Sequence, residues 1–340
     1  MNENVTSFDV AARAGVSQST VSRVFSENSP NVSPETRDRV VQAARELGYR
    51  PNVIARMMST RQTNIVGIVM ANIVSPFYPY VLEKFLKRLQ EMDRQVLLFT
   101  AAPDQSVDDV LPVALQHQVD ALIITSATLS SEMVEICAHS RTPVILFNRY
   151  IKGANVSAVC ADNLAGGQLI ADYLLKGGHT RFGYIAGQAN TSTNSERQRG
   201  YIGRLRTFGI DDVLIEPGDY TYVGGHAAMS VLLQRSDPPN AVFCANDIMA
   251  IGAIDAAHEL GRHVPDDLSI IGFDDIPMAR WGAYRLTTVS QEVDAMIDAT
   301  IDLMLAKIAD SNLQTTLRLI PGKLKVRDSA RPVHEEGQDT

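Results

Sequence analysis

From Ile65 onward, short apolar runs alternate with amphipathic segments of helical period, and this alternation restricts the fold more than any other feature of the chain. Short apolar runs predict buried strands, and helices between buried strands are typical of a parallel α/β sheet. The predicted strands are 65–71, 96–100, 121–125, 144–147, 181–186, 241–245 and 268–273. The predicted helices include 80–92, 163–175, 196–208, 225–233 and 247–260. Because about 270 residues are too many for one sheet, we predict two α/β lobes.

Charge is divided unevenly along the chain. The 340 residues carry a formal net charge of −8, which as an average disfavours a nucleic-acid partner. Residues 1–62, however, contain eight arginines, no lysine and six acidic residues, so their net charge is +2 and that of the remainder is −10. A basic N-terminal region on an acidic body is compatible with DNA binding through the N-terminal region alone.

Three short helices are predicted in this basic region. Residues 9–14 are compact and apolar-periodic, and Gly15 breaks the pattern. Ser17 is a candidate N-cap for a second helix, 18–25. The N-cap, the first-position proline and the terminating glycine expected of a third helix are Ser33, Pro34 and Gly48.

The outer face of the second predicted helix carries hydrogen-bonding side chains, namely those of Gln18, Ser19, Ser22 and Arg23. Such a helix fits the major groove of DNA, where Arg bonds guanine and Gln bonds adenine through two hydrogen bonds each. The pattern therefore predicts a DNA-binding helix-turn-helix. A solvated helical hairpin without a nucleic-acid partner is the alternative.

Eight segments, 8–25, 32–37, 47–52, 72–77, 162–163, 244–247, 272–276 and 286–291, match the motifs of one protein family in order along the chain. On these segments the chain resembles the lactose-repressor/galactose-repressor family of bacterial transcription regulators. The resemblance implies an N-terminal all-α helix-turn-helix head. It also implies a two-lobed α/β domain with parallel sheets, similar to the sugar-binding periplasmic proteins.

The resemblance also implies which residues contact DNA. The base-reading positions correspond to Gln18, Ser19 and Arg23, and Arg23 is the residue expected to read a guanine. The positions that contact the DNA backbone correspond to Ser17, Thr20, Thr36 and Tyr49. In the segment that follows the head, the matching positions are Asn52, Ala55 and Met58. Met58 stands where family members usually insert a leucine into the minor groove.

Four regions are expected along the chain. They are a helix-turn-helix domain (1–50), a hinge helix and linker (51–63), an effector-binding and dimerisation domain (64–330) and a tail (331–340). In the third region we expect an N-lobe of residues 64–161 and about 291–321, and a C-lobe of residues 162–290 and about 322–330. A hinge of about eight residues is too short to hold a helix alone in water, so we expect it to fold against DNA and a partner hinge. An ordinary linker is the alternative.

For the two lobes, the resemblance implies a ligand in the cleft outside the strand ends. The expected effector-binding residues are Phe77, Tyr78, Asn148, Arg149, Arg197, Tyr220, Asn246 and Asp274. The aromatic rings suit the C–H face of a sugar and the polar groups suit its hydroxyls, although Asn246 also fits a helix N-cap. Arg149 with Arg197 suits a sugar acid or a sugar phosphate, whereas an arginine paired with Asp274 suits a neutral sugar. These alternatives stay open at the level of sequence.

The residues expected of common enzyme classes are missing. The sequence has no GxGxxG after a strand, no GxxxxGK[ST], no HExxH and no GxSxG. We therefore expect no catalysis, no cofactor and no metal. There is neither a signal-peptide pattern near Met1 nor an apolar stretch that approaches a membrane span, so we expect a cytoplasmic, nucleoid-associated protein that does not contact the membrane.

The combined expectation is a homodimeric regulator, in the first place a repressor, that binds a near-palindromic double-stranded operator and responds to a small sugar-like effector. Two recognition helices need a two-fold dimer to read two half-sites, and a tail without heptads predicts a dimer instead of a tetramer. The alternative is a cytosolic sugar-binding or sugar-modifying α/β protein in which the head is incidental.

Overall fold

The computed structural model describes residues 5–25, 32–49, 63–70, 75–102, 105–125 and 129–333. The chain divides into two compact units, Met1–Thr63 and Asn64–Thr340. The predicted hinge residues Asn52, Ala55 and Met58 lie outside the described residues, and so do residues 334–340 of the tail.

The first unit contains three helices, α1 (Ser7–Ala14), α2 (Gln18–Val24) and α3 (Pro34–Leu47). Their N-termini are capped by the side-chain oxygens of Thr6, Ser17 and Ser33. Helix α1 begins two residues before its predicted start because Thr6 and Asp9 cap each other reciprocally. Gly15, with a φ of 65°, makes the left-handed turn into α2 that a residue with a Cβ adopts only with strain.

A small apolar core holds these three helices together. Its fully or nearly buried members are Val10, Ala11, Ala14, Val21, Val24, Val40, Ala43 and Ala44. Val16 and Leu47 pack against this core but are only partly buried. Because α2 turns Val21 and Val24 inward, Ser19, Ser22 and Arg23 face solvent.

The second unit is built on two six-stranded sheets. The first sheet, in the order β11-β5-β4-β3-β1-β2, contains β1 (Ile65–Met70), β2 (Gln95–Thr100), β3 (Ala121–Thr125), β4 (Val144–Phe147), β5 (Ser157–Ala161) and β11 (Leu317–Ile320). The second, in the order β12-β10-β9-β8-β6-β7, contains β6 (Phe182–Ala186), β7 (Val213–Pro217), β8 (Ala241–Cys244), β9 (Ser269–Asp274), β10 (Thr287–Ser290) and β12 (Lys323–Lys325). The pairings are parallel except that of β12 with β10, which confirms the predicted parallel α/β class.

Helices cover these sheets. They are α4 (Phe77–Gln90), α5 (Val107–Gln116), α6 (Ser131–Ala138), α7 (Asn163–Lys176), α8 (Ser192–Arg206), α9 (Tyr222–Leu233), α10 (Asp247–Glu259) and α11 (Val293–Ala309), with a short 3-10 helix at Pro277–Arg280. Helices α8 and α9 begin four and three residues before their predicted starts, because the hydroxyls of Thr191 and Thr221 cap them. In the part of the chain that the structure describes, no helix is both long and apolar enough to cross a bilayer.

Several strands were not predicted individually, and their composition explains why. Strand β10 consists of Thr287, Thr288, Val289 and Ser290, and it is buried because its hydroxyls are hydrogen-bonded. Strands β11 and β12 are only four and three residues long and are partly exposed. Neither kind of strand shows the apolar run by which a buried strand is recognised in sequence.

The chain passes between the two sheets three times, after β5, after β10 and between β11 and β12. Helix α11 accordingly packs on β4 and β5 of the first sheet, and α7 packs on α8 of the second lobe. The carboxyl ends of the parallel strands lead into the loops that carry the predicted effector residues, which is where open α/β sheets bind ligands.

Candidate functional site: a DNA-reading helix and a two-lobed ligand cleft

The exposed face of α2 carries the base-reading residues predicted in the head. Ser19 and Arg23 are exposed, and Gln18 is partly buried with its Nε2 donating to the Oγ of Ser7 at 3.3 Å. Within the described residues, no hydrogen bond or ion pair engages the Arg23 guanidinium. Arg23 is therefore available for a base, whereas Gln18 has to leave Ser7 before it can contact one.

The predicted backbone-contacting residues lie at helix ends. The Oγ of Ser17 bonds the Oγ1 of Thr20 at 2.8 Å and accepts from its backbone N at 3.2 Å, so both hydroxyls stand at the N-terminus of α2. The positive end of a helix dipole favours phosphate there. Thr36 is bonded to the Ser33 cap of α3, and the Tyr49 ring packs 5.9 Å from that of Phe25.

One cleft of the second unit brings together all eight residues predicted for the effector. It is lined by Ser75, Phe77, Tyr78, Asn148, Arg149, Thr193, Arg197, Tyr220, Asn246 and Asp274, and it holds about 350 Å³ of space outside the atoms, part of it open to solvent. Eight of these ten residues end or follow strands β1, β4, β7, β8 and β9 at their carboxyl ends, and Thr193 and Arg197 lie on α8. Binding of an effector by these residues stays a prediction.

Arg197 is the most thoroughly engaged side chain of the cleft. It is 2% exposed and lies 3.7 Å from the ring centroid of Phe273. Its Nε donates to the Oδ1 of Asn163 at 2.8 Å, its Nη1 donates to the backbone carbonyl of Ala245 at 2.5 Å, and its Nη2 lies 3.4 Å from the Oδ1 of Asp274. The guanidinium is thus held rigidly, with a carboxylate as its counter-ion.

Asp274 combines burial with a partly compensated charge. Its Oδ1 also accepts from the Nε2 of Gln291 at 2.7 Å. Burial raises the pKa of Asp274 to about 6, although Arg197 and Gln291 act in the opposite direction. The neighbouring Asp247, fully buried and bonded to Thr288 and the backbone of Ile276, has its pKa raised for the same reason and by the charge of Asp274.

Asn148 presents a hydrogen-bonding atom that is not used within the described residues. Its side chain is 4% exposed, and its Nδ2 donates to the Oη of Tyr78 at 3.1 Å. The Oδ1 has no partner among the described residues. Asn246, by contrast, uses its Oδ1 to accept from the backbone N of Met249 at 3.1 Å, so it caps α10 as well as lining the cleft.

Tyr220 is held by two neighbouring side chains and packs against Gly187. Its Oη bonds the Oγ1 of Thr193 at 2.9 Å, and the Arg149 guanidinium lies 5.8 Å from its ring centroid. A Cβ on Gly187 would lie 2.1 Å from the Cζ of Tyr220. The ring therefore needs a glycine at position 187 to occupy the cleft.

Backbone strain is concentrated in this region. Asn148, Tyr220 and Asp274 have φ values of 70°, 61° and 124°, which non-glycine residues rarely adopt. Such strain persists where the surroundings impose it, and it is common at ligand sites. At these three positions it turns the side chains into the cleft.

Sequence reasoning missed some members of the site. Ser75 and Thr193 line the cleft, and Asn163, Gln291 and Gly187 support its side chains without having been singled out as site residues. Asn163 and Gln291 do fall within segments on which the family resemblance rests, and that was the available signal. Nothing in the local sequence marks Gly187 or Thr193, because their partner Tyr220 is distant along the chain.

Both units match known families. Residues 8–52 match the bacterial regulatory proteins of the lacI family, and residues 171–330 match the periplasmic binding protein-like domain. The regulator GalS of Salmonella typhimurium is 34% identical over 304 residues, covering 88% of this chain and 89% of GalS. The repressor CytR of Escherichia coli is 32% identical over 326 residues, covering 95% of each chain.

Solved structures agree with these matches. The complex of the regulator CelR with cellobiose has 30% identity and a TM-score of 0.72, covering 96% of this chain and all of CelR. The lac repressor dimer bound to operator and an anti-inducer has a TM-score of 0.86, covering 97% of this chain and all of that one. Its identity of 24% supports the likeness of fold.

A helix-turn-helix head joined to a two-lobed ligand-binding domain defines a ligand-responsive transcription regulator. The chain belongs to the lacI family of bacterial regulatory proteins, and it is a DNA-binding transcription regulator. The relatives named above are regulators and not enzymes.

Proposed function

We propose that this protein is a homodimeric repressor whose affinity for a near-palindromic operator is controlled by a small neutral sugar bound between the two lobes. The observation that carries the proposal is the lining of the cleft, where the rings of Phe77 and Tyr220 meet the hydrogen-bonding groups of Asn148, Arg197 and Asp274. Rings suit the C–H face of a sugar and the polar groups suit its hydroxyls. A regulator that reads chromosomal DNA acts in the cytoplasm, at the nucleoid.

The charge of the cleft favours a neutral ligand. Arg197 already has Asp274, Asn163 and the carbonyl of Ala245 as partners, so an anionic ligand is not needed to compensate it. An acidic ligand would also approach the Asp274 carboxylate. The related CelR, solved with cellobiose, supports a carbohydrate. A sugar acid or sugar phosphate is the second candidate, because Arg149 also lines the cleft.

A panel of ligands tests the effector assignment. D-ribose, D-galactose, cellobiose, D-gluconate and D-glucose 6-phosphate are each added to the full-length protein, and the thermal midpoint is measured. A ligand at 100 times its Kd stabilises the folded state by about 2.7 kcal/mol. We expect a neutral sugar to raise the midpoint and to release an operator selected from random DNA. Stabilisation by the two anionic ligands alone would support the second candidate, and no stabilisation by any carbohydrate would contradict the proposal.

An exposed apolar patch in the second lobe supports the dimer. Val223 and Trp281 are 74% and 57% exposed, and Tyr222 and Tyr284 both donate to the Oδ2 of Asp255, which brings the two segments together. Exposed patches of this kind mark protein interfaces.

Val223→Asp should therefore weaken dimerisation by more than about tenfold, since a charge would be buried in an apolar contact. Sedimentation equilibrium of the full-length protein measures this. Val326→Asp, at a residue that is 53% exposed elsewhere in the second lobe, is the matched control. A dimer constant that is the same in wild type and Val223→Asp would remove this patch from the interface.

Effector affinity should fall as the pH drops below about 6, because the pKa of Asp274 is raised to about 6. Protonation takes away the negative acceptor that faces Arg197 and the sugar, so Kd should rise by up to about tenfold per pH unit. The free energy of unfolding responds in the opposite sense, because burial raises the pKa of Asp274 above its ordinary value of 3.8. Asp274 therefore favours the folded state below pH 3.8, and this contribution is lost as the pH rises through about 6. Titration calorimetry between pH 5 and 8, with Asp274→Asn as the non-titrating control, tests the first statement. An equal pH dependence in both proteins would exclude Asp274 as its source.

Gly187→Ala should weaken sugar binding by displacing Tyr220. The new Cβ would lie 2.1 Å from the ring, so we expect affinity to fall about tenfold and the free energy of unfolding to fall by about 1–3 kcal/mol. Calorimetry and thermal melting measure the two effects. Gly203→Ala, where an added Cβ meets nothing within 4 Å, is the control. Wild-type affinity in Gly187→Ala would show that the position of the ring is not important.

A further inference from the structure

Tyr150 of the first lobe contacts the beginning of α8 in the second lobe at two points. Its backbone N donates to the Oγ of Ser192 at 3.1 Å, and its Oη donates to the Oε1 of Glu196 at 2.6 Å. Tyr150 follows β4, whereas Ser192 and Glu196 lie one turn apart on α8. These hydrogen bonds therefore join the two lobes directly, in addition to the three crossings of the chain between them.

The contact between Tyr150 and Glu196 is short and partly buried. Glu196 is only 9% exposed, and its Oε1 also lies 3.6 Å from the Nη2 of Arg199. Burial, together with the hydrogen bond to Glu196, raises the pKa of Tyr150 to about 12. The phenol thus remains a donor over the whole physiological range. A hydrogen bond between a neutral donor and a carboxylate is stronger than one between two neutral groups.

The same two segments carry the contact and part of the cleft lining. In the first lobe, Asn148 and Arg149 line the cleft and Tyr150 follows them directly. In the second lobe, Thr193 and Arg197 line it and alternate along α8 with Ser192 and Glu196. Neither Tyr150 nor its two partners belong to the lining. A ligand that bridges Asn148 and Arg197 therefore draws together the same segments that Tyr150 joins.

We propose that Tyr150, Ser192 and Glu196 form a clasp that holds the two lobes closed and positions Asn148 and Arg149 over the cleft. They are positioning residues and not ligand contacts. Closure by the clasp and binding of a ligand across the cleft stabilise the same arrangement, so each strengthens the other. The clasp holds the lobes closed whether or not an effector is bound. Only the contribution of the clasp to sugar binding rests on the proposed function.

Hydrogen exchange of the ligand-free, full-length protein tests the clasp. The backbone N of Tyr150 is itself a donor in the contact, so peptides covering residues 148–151 and 191–197 report on its opening. Tyr150→Phe removes the Oη and leaves the backbone bond to Ser192, and Glu196→Ala removes the acceptor. We expect exchange in both segments to rise about tenfold in each variant, and the radius of gyration from small-angle scattering to increase.

Two matched variants separate the clasp from a general loss of structure. Glu196→Gln keeps an oxygen that accepts from the phenol, so its exchange should stay within about threefold of the wild type. Tyr173→Phe removes a tyrosine hydrogen bond of 3.0 Å inside the second lobe, from the Tyr173 Oη to the carbonyl of Arg331. It should leave the 148–151 segment unchanged.

The clasp is overturned if exchange in 148–151 is the same in wild type and Tyr150→Phe, if Tyr173→Phe raises it equally, or if Glu196→Gln behaves as Glu196→Ala. Because no ligand is present, unchanged exchange leaves the sugar proposal intact. Conversely, failure of every sugar in the panel leaves the exchange result standing.

Discussion

Replacing Asp274 with alanine should abolish the effector response while operator binding is retained. Asp274 faces the cleft and is the carboxylate nearest to the Arg197 guanidinium. Its removal takes away an acceptor for sugar hydroxyls and leaves a buried cation with only neutral partners. Losing one member of a buried, hydrogen-bonded charge pair costs roughly 2–5 kcal/mol of binding free energy, so we expect the Kd of the sugar to rise by at least about 30-fold.

Operator release measured by fluorescence anisotropy, together with calorimetry, tests this result. Asp294→Ala is the matched control, because Asp294 is an exposed aspartate paired with Lys84 and does not line the ligand cleft. The control should release operator as the wild type does. An Asp274→Ala protein that is released at wild-type sugar concentrations would remove Asp274 from the effector site.

Arg23→Ala should lower the affinity for the specific operator by roughly 1–3 kcal/mol, or about 5- to 150-fold. The side chain is exposed on α2 and has no recorded partner within the described residues. The substitution therefore takes nothing away from the fold, and we expect the free energy of unfolding to change by less than about 0.5 kcal/mol. Operator titrations at a fixed salt concentration and thermal melting measure the two quantities.

A change in specificity distinguishes base reading from a simple loss of charge. Arg45→Ala removes another exposed arginine, from α3, so it controls for the charge. We expect Arg45→Ala to affect operator and random DNA alike, since its contribution is not specific for sequence. If Arg23→Ala weakened operator and random DNA by the same factor, the guanidinium would contact phosphate and not a base.

The head was predictable because its signals are local. The caps at Ser17 and Ser33 and the turn at Gly15 act within three or four residues, so they are visible in the sequence. The start of α1 was missed because the reciprocal cap between Thr6 and Asp9 was not recognised. The starts of α8 and α9 were predicted too late in the sequence for the same reason, because their N-caps were not recognised.

Strands are predictable from the sequence when they are apolar, and not when they are polar and buried. Apolar runs predicted β3 and β4, which are buried along their whole length. Strand β10 is buried too, but its threonine and serine hydroxyls are satisfied by the Arg327 carbonyl, Asp247 and Glu292. Polar residues are buried when they have hydrogen-bonding partners, and these partners become neighbours only in the folded chain. The hydropathy of the sequence therefore does not predict a buried polar strand.

The sequence by itself determined the family, the parallel type of the two sheets and eight of the ten residues that line the cleft, because family motifs and periodicity can be recognised from neighbouring positions. Only the tertiary structure decided how those residues are used. It pairs Arg197 with Asp274, leaves the Asn148 Oδ1 without a partner among the described residues, gives Asn246 a capping role and joins Tyr150 to Glu196. These contacts connect positions up to 77 residues apart. The physical reason is that charge compensation and hydrogen bonding act over a few ångströms of space, whatever the separation along the chain.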